Sequence, residues 1–254
     1  MDINKLLKSY AAGERSFQRL NLQEAELTNA NLIGADFSYA DLCQTRLGKT
    51  NFSQACLREA DLNESILWGI DFSEADLYRA VLREADLTSG KLVNTRLQET
   101  NLIKASLCGA NLHGANLSGS LLFQADLRPS SDQRTDLGYA VLTGADLSYA
   151  DFRAVSLHHA NLNKAKLCRA NLSKTILWGN LAADLSGASL QRADLSYANL
   201  DSTILRQANL QGADLTEAIL LNADLQGAIM PDGKVHNGSI HFWKKHLIRQ
   251  QVNH

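Results

Sequence analysis

The segment Leu22–Phe52, LNLQEAELTNANLIGADFSYADLCQTRLGKTNF from Leu20 onward, carries a large apolar residue at every fifth position: Leu22, Leu27, Leu32, Phe37, Leu42, Leu47 and Phe52. The series continues unbroken to Leu127, giving 22 units. It resumes at Leu137 and runs nine units to Leu177, then slips and restarts at Leu185 for ten more, ending at Met230. A template repeated 41 times makes internal repetition the first fact to interpret.

A period of five suits neither a helix, which needs about 3.6, nor a flat strand, which needs 2. The position two before each large residue is small: Ala25, Ala30, Ala35, Ala40, Thr45, Thr50, Ala55 and Ala60. The position just before is mostly Asp or Asn, as at Asn31, Asp36, Asp41, Asn51 and Asp61. The two positions after are mostly polar or Gly. Each unit therefore turns one large and one small side chain inward and three outward. In-out-in alternation that keeps turning the same way predicts a coil of short strands around a narrow core. Successive coils should stack about 4.8 Å apart. Helical solenoids need repeats of roughly 33 residues or more and are excluded.

The Ala-Asp/Asn-Leu-x-x pattern resembles the pentapeptide-repeat family over residues 20–230. The resemblance implies an all-β fold, a right-handed quadrilateral β-helix with four five-residue units per coil. Phe17 and Phe37 lie one such coil apart, as do Phe52 and Phe72, so each pair could stack. About ten coils would make a rod roughly 50 Å long.

The division expected is a capping helix over 1–16, the solenoid over 17–230, and a turn with a basic tail over 231–254. Ile3, Leu6, Leu7 and Tyr10 form one apolar helix face. Asp2 could cap that helix and Gly13 end it. Such a helix would cover the raw end of the stack, which otherwise invites aggregation. At the other end Pro231-Asp232-Gly233 signals a turn. Beyond it Ser239 could cap a short helix bearing Ile240, Trp243, Leu247 and Ile248, with Lys244, Lys245 and Arg249 alongside. This tail could cover the last coil, form a homodimer contact, or hang loose.

Two interruptions break the period. Residues 130–134, Ser-Ser-Asp-Gln-Arg, would put Asp132 in an inward position, where an unpaired carboxylate is costly. The segment 128–136 is therefore expected to bulge as a loop, either a tolerated insertion or a recognition element. Residues 180–182 supply three positions where five are needed, which should distort the corner there. Residues 34–69 also match 144–179 at a fixed offset of 110, including the off-template Gly34/Gly144, Tyr39/Tyr149, Trp68/Trp178 and Gly69/Gly179. That reads as a partial duplication. Trp68 and Trp178 should point outward, as interface anchors or as packing over their neighbours.

The net charge is −2, with −4 in residues 1–127 and +2 in 128–254. This is neither the basic footprint of a nucleic-acid binder nor the acidic surface of a DNA mimic. No apolar run approaches the roughly 18 residues that a membrane-spanning helix needs. The N-terminal segment lacks a secretory apolar core. The four cysteines have no CxxC spacing and read as free thiols of a cytoplasmic protein. His158-His159 have no ligand partner at metal spacing. No nucleotide loop, nucleophile elbow or zinc-protease motif occurs, and a Leu-filled rod leaves no internal pocket. No enzyme, no cofactor and no metal is expected.

What remains is a long patterned surface suited to protein recognition. The segments NLQEAELTNA, TRLGK, LWGIDFSEADLYRA, LFQADLRPSSDQRTDLGY and ILWGNLAADLSGASLQ resemble the branch of the family that regulates heterocyst differentiation in filamentous cyanobacteria. That resemblance implies a protein partner, the transcription regulator HetR, and an action that counters PatS-type peptide inhibitors. It stops near residue 236. Rival readings are a DNA-mimicking gyrase-protection protein and a structural spacer. The candidate partner-binding residues are Arg128, Asp132 and Arg134 of the loop with the exposed aromatics Trp68, Tyr149 and Trp178. A monomer is expected, with a tail-mediated homodimer as the alternative.

Overall fold

In the computed structural model, residues 3–176 and 179–237 are described. The chain is a four-sided β-helix. Parallel bridges pair each unit with the fourth one after it, as in Ser16 with Asp36, Asn21 with Asp41, Glu26 with Arg46 and Asn31 with Asn51. Four units per coil define four faces. The first carries Phe17, Phe37 and Leu57 inward, the second Leu22, Leu42 and Leu62, the third Leu27, Leu47 and Leu67, and the fourth Leu32, Phe52 and Phe72. The first face has eleven rungs, from Ser16 to Ile229.

The core follows from the repeat. From Leu32 to Leu210 every large inward side chain of the stack is essentially inaccessible, at 0–1% exposure. Each contributes on the order of 1.5–3 kcal/mol by leaving water. The small inward position is mostly filled by Ala, or by Thr and Ser whose hydroxyls bond backbone carbonyls, with Ile70, Gly90 and Val155 as exceptions: Thr50 Oγ1 donates to Leu27 O at 2.6 Å and Thr95 Oγ1 to Phe72 O at 2.8 Å. The phenylalanine pairs stack as their spacing predicts. Ring centroids lie 5.2 Å apart for Phe17–Phe37 and 5.9 Å for Phe52–Phe72, and an edge contact between Phe37 and Phe52 at 5.3 Å joins the pairs.

Each corner is a four-residue turn. The small residue's N–H donates to the preceding large residue's carbonyl, as Ala25 N does to Leu22 O at 2.9 Å. The second residue after each Leu is left-handed, with φ of about +54 to +61° at Arg19, Glu24, Tyr39, Lys49 and their equivalents. No Val, Ile or Thr occupies that position, although Thr28, Ile33, Val93 and Thr143 occur one residue earlier. Branching at Cβ makes positive φ costly. The Asp or Asn before each Leu accepts the next corner's N–H on its side-chain oxygen: Ser38 N donates to Asp36 Oδ1 at 2.9 Å and Asn63 N to Asp61 Oδ1 at 3.0 Å. Such short polar side chains favour local backbone bonds of this type.

Helix α1, Ile3–Ala11, covers the first coil. Leu6 is fully buried against the core, and Ile3, Leu7 and Tyr10 pack beside it. Tyr10 Oη donates to Ile33 O at 2.9 Å. Asp2 and residues 238–254 lie outside the described residues, so the expected cap at Asp2 and the C-terminal helix are not described.

The count of units differs from the sequence reading at two places. Phe17 forms a rung that the Leu22 start omits. At the second break the corner is distorted, as three residues in place of five predict, and the distortion is an excursion from the coil. The ladder stops at Asn171 and resumes at Asp184, so the unit that follows Leu172 takes no place in the coil. The excursion is closed by an antiparallel bridge between Thr175 and Leu181. Shortening one side would have broken the inward pattern of every coil above it, whereas expelling a unit preserves the ladder.

Candidate functional site

Both interruptions emerge at the same corner, between the third and fourth faces. The first leaves after Leu127 and re-enters at Thr135. The second leaves after Leu172 and re-enters at Ala183. Pro129 explains the first departure. It stands where a corner needs positive φ, and its ring holds φ at roughly −65°. The loop then closes on itself, with Ser130 N donating to Gln133 O at 2.9 Å and Ser130 Oγ to Asp132 Oδ1 at 2.9 Å. Asp132 is exposed, as the cost of burying it demands. Thr135 returns to the core as a hub, donating to Arg128 O at 2.9 Å and accepting from Gly109 N at 2.8 Å.

One coil separates the two loops, and Arg134 spans it. Its guanidinium donates to Ala154 O at 2.6 Å and Val155 O at 3.0 Å on the intervening coil, and to Ala182 O at 3.0 Å on the second loop. Burial lowers the affinity of this guanidinium for its proton, with Asp184 and Asp136 opposing. Arg134 is therefore a pin joining two loops, its guanidinium directed onto backbone carbonyls of the protein.

Outside this pin lies a row of ion pairs. Arg128 forks onto Asp126 at 2.6–3.1 Å, and Arg153 repeats the geometry on Asp151 one coil later. Arg128 also approaches Asp151 at 3.7 Å. Partial burial pushes the Asp126 carboxyl up, but hydrogen bonds from Arg128 prevail and hold it below the usual range. Between the loops Cys108, Arg128, Pro129, Ser130, Ser131, Arg153 and Thr175 line a cleft of about 400 Å³. Burial raises the Cys108 thiol to about 11, so it is no thiolate nucleophile at neutral pH. Beside the cleft, Ile176 of the second loop is 82% exposed.

The remaining candidates occupy other places. Trp68 sits on the same corner three coils below the first loop, roughly 14 Å at strand spacing. It is 40% exposed and lies over Gly48, where an added Cβ would meet the indole nitrogen at 2.5 Å; Lys49 Nζ stands 4.8 Å from its ring. Trp178 lies outside the described residues. Tyr149 lies on the neighbouring corner, between the second and third faces. It meets Phe123 edge-on at 5.4 Å and stacks with Arg169 and Tyr197 in one column. The offset of 110 is 21 units plus the inserted loop, so the duplicated segments sit one face apart. Tyr39 and Tyr149 are thus on adjacent corners.

A cluster that sequence reasoning passed over gathers at the corner after the fourth face. Tyr139, 54% exposed, lies 5.4, 5.2 and 5.1 Å from the rings of His113, His158 and His159. Only the known coil length brings position 113 beside 139 and 158. Among the described residues no group of three or more His, Cys, Asp or Glu has geometry to hold a metal ion. No helix of the described residues is long and apolar enough to cross a membrane.

Comparison with known proteins agrees with this architecture. Pentapeptide-repeat sequences match in eight copies over residues 16–48, 55–90, 91–128, 135–178, 182–207 and 193–230. No curated protein matches. Among solved structures the chain is similar to HetL, a pentapeptide repeat protein involved in heterocyst differentiation regulation from the cyanobacterium Nostoc sp. strain PCC 7120. Identity is 77%, the TM-score 0.92, and the match covers 93% of this chain and all of HetL. More distant likeness reaches Rfr23 from the cyanobacterium Cyanothece 51142, at 26% identity over 55% of this chain and 90% of that one, with a TM-score of 0.30. QnrB1, a plasmid-mediated fluoroquinolone resistance protein, matches at 18% identity over 93% of this chain and 97% of that one, with a TM-score of 0.35. The repeat pattern, the four-sided ladder and the match to HetL together place the chain in the pentapeptide-repeat family.

Proposed function

We propose that the chain is a non-catalytic, cytoplasmic protein-binding regulator of heterocyst differentiation that engages the transcription regulator HetR and counters PatS-type peptide inhibition. The observation that carries this reading is the 77% identity to HetL over the whole of that chain. The binding surface we assign is the corner between the third and fourth faces, with Arg128 and Asp132 presented on the first loop and Trp68 below it.

Physical reasons support that choice of corner. A regular rod offers the same surface coil after coil, so specificity needs a place where the repeat is broken. Both breaks stand side by side there, and Arg134 fixes their relative position. Pre-set loops lose less conformational freedom on binding than free ones. The ion-paired Arg128, Asp126, Arg153 and Asp151 present alternating charge, which suits orientation of a partner more than bulk affinity. Tyr149 lies around the next corner and would extend the contact across the third face.

Calorimetric titration with purified HetR, with and without a PatS-type peptide, tests the reading. Micromolar or tighter binding that the peptide weakens is the expected result. Absence of heat and of any complex on sizing would overturn it.

A further inference from the structure

The corner between the first and second faces is charge-matched at one end and not at the other. Toward the N-terminus its cations meet carboxylates of the next coil: Arg58 Nη1 lies 3.1 Å from Asp76 Oδ2 and Arg79 Nε 2.8 Å from Glu99 Oε2. Farther along, Lys164 and Arg192 hold the same left-handed corner position one coil apart, roughly 4.8 Å at strand spacing. Lys164 N donates to Gln191 O at 2.9 Å and Arg192 N to Gln211 O at 3.0 Å, so the ladder fixes the two cations side by side. Like charges opposite one another on neighbouring strands repel. The corner positions that flank the pair are Gly144 and Gly212, which bring no side chain to neutralise it. Among the described residues neither Lys164 nor Arg192 has an ion pair.

The pair lines a cleft of about 600 Å³ that continues over the next two coils to Pro231. Amides form its floor, with Asn163, Gln191 and Gln211 stacked on successive coils just after each inward Leu. Asn163 Oδ1 accepts from Ser189 Oγ at 2.7 Å and from Gln191 N at 2.9 Å, which sets the orientation of this amide and leaves its nitrogen to donate. The side-chain amides of Gln191 and Gln211 have no partner among the described residues. Gly212 makes room for the cation: a Cβ there would stand 3.4 Å from Arg192 Cγ, so the arginine stem lies across it. Asp232, at the far end, is already engaged by Lys234, whose N donates to its Oδ1 at 3.1 Å and whose Nζ stands 3.3 Å from its Oδ2. Pro231 is the only apolar residue of the described lining.

We infer that this cleft binds the phosphate monoester of a small, hydroxyl-rich molecule. Arg192 offers a planar fork to two phosphate oxygens, and Lys164 a mobile point charge to a third. A dianion between them removes the repulsion that the ladder imposes on the pair. Amides donate and accept, as hydroxyl groups do, so Asn163, Gln191 and Gln211 suit a sugar or polyol chain extending from the phosphate. A lining without aromatic or aliphatic walls gives a nucleobase or an acyl chain nothing to lie against. The volume falls within the roughly 300–1,000 Å³ of small-molecule sites. The cleft lies diagonally across the rod from the two loops, and the inference does not depend on the partner assigned to them.

Proton–nitrogen NMR titration of the full chain tests it, read at the side-chain amides of Asn163, Gln191 and Gln211. The probes are glucose 6-phosphate, glycerol 3-phosphate, inorganic phosphate and glucose. The same titrations are run on the double variant Lys164→Gln with Arg192→Gln. Both side chains are exposed, and far-UV circular dichroism verifies that the variant keeps the β-helix. The two esters should shift these amides with Kd of about 1 mM or tighter. Inorganic phosphate should bind more weakly, glucose should leave the amides unmoved, and the double variant should bind the esters at least tenfold more weakly. No shift with either ester would overturn the inference, as would equal affinity in the native chain and the variant. Inorganic phosphate binding as tightly as the esters would also overturn it, since the amides would then take no part.

Discussion

The second corner residue is where the repeat meets its strongest local constraint. Thirty non-Gly residues of the described chain hold positive φ, a conformation that costs roughly 1–2 kcal/mol for an L residue. Glycine at nine such corner positions relieves that cost locally. Gly144, at φ +68° with nothing within 4 Å of a hypothetical Cβ, isolates the backbone contribution from packing. Gly144→Ala should lower stability by about 1 kcal/mol, seen as a reduced urea midpoint without a change in slope. Gly144→Val should lower it further, because branching at Cβ worsens the strain. The ion pair at Asp126 makes a pH prediction. Its carboxyl lies below its unfolded value in the folded chain. Its stabilisation is therefore present above the unfolded value, near about 3.9, and lost as pH falls through the folded one. The stability difference between the native chain and Asp126→Asn should shrink on acidification below about pH 4, as measured by urea melts across that range. The opposite trend would place the stabilising form of Asp126 in its protonated state.

Much was legible at this scale because each inward position is chemically uniform. The large and small core residues, the Asx bonds at the corners and the exposure of Asp132 all follow from the side chains themselves. The role of Arg134 does not. An arginine in a polar loop reads as a solvated side chain or a partner contact, and only the stacking of coils reveals that Ala154, Val155 and Ala182 lie within its reach. The same holds for His113, Tyr139 and the His158-His159 pair, whose meeting depends on a loop of known length between them.

At the scale of elements, the two loops behave as one. Arg134 ties them, and three carbonyls satisfy its guanidinium. Arg134→Met keeps most of the apolar stem but removes the donors. It should cost about 1–3 kcal/mol and raise hydrogen exchange together in residues 128–134 and 179–182, while coils at the N-terminal end stay protected. Increased exchange in the first loop alone would mean that the pin does not couple them. The second break also shows what a short count leaves open. Three residues between Leu177 and the next unit predict a distorted corner, and the stack has no tolerance for a shortened side, since each rung must meet its counterpart in the coil below. The sequence shows that the register slips, and the ladder determines that a whole unit leaves.

At the scale of the molecule, each coil touches only its neighbours, so stability is distributed along the rod and an interior defect is felt locally. Leu112→Ala, in a fully buried site near mid-rod, should cost about 2–5 kcal/mol, measurable as a lowered thermal midpoint. The rod as a whole presents one corner unlike the rest, and the central claim is that this corner recognises a protein. The direct test replaces Pro129–Gln133 with Gly and Ser, leaving Arg128, Arg134 and Thr135 to hold the coil, and titrates the native and altered chains with HetR by calorimetry. The account predicts affinity at least tenfold weaker for the altered chain, about 1.4 kcal/mol, with the β-helix intact by circular dichroism. Unchanged affinity would contradict it and place recognition on another face.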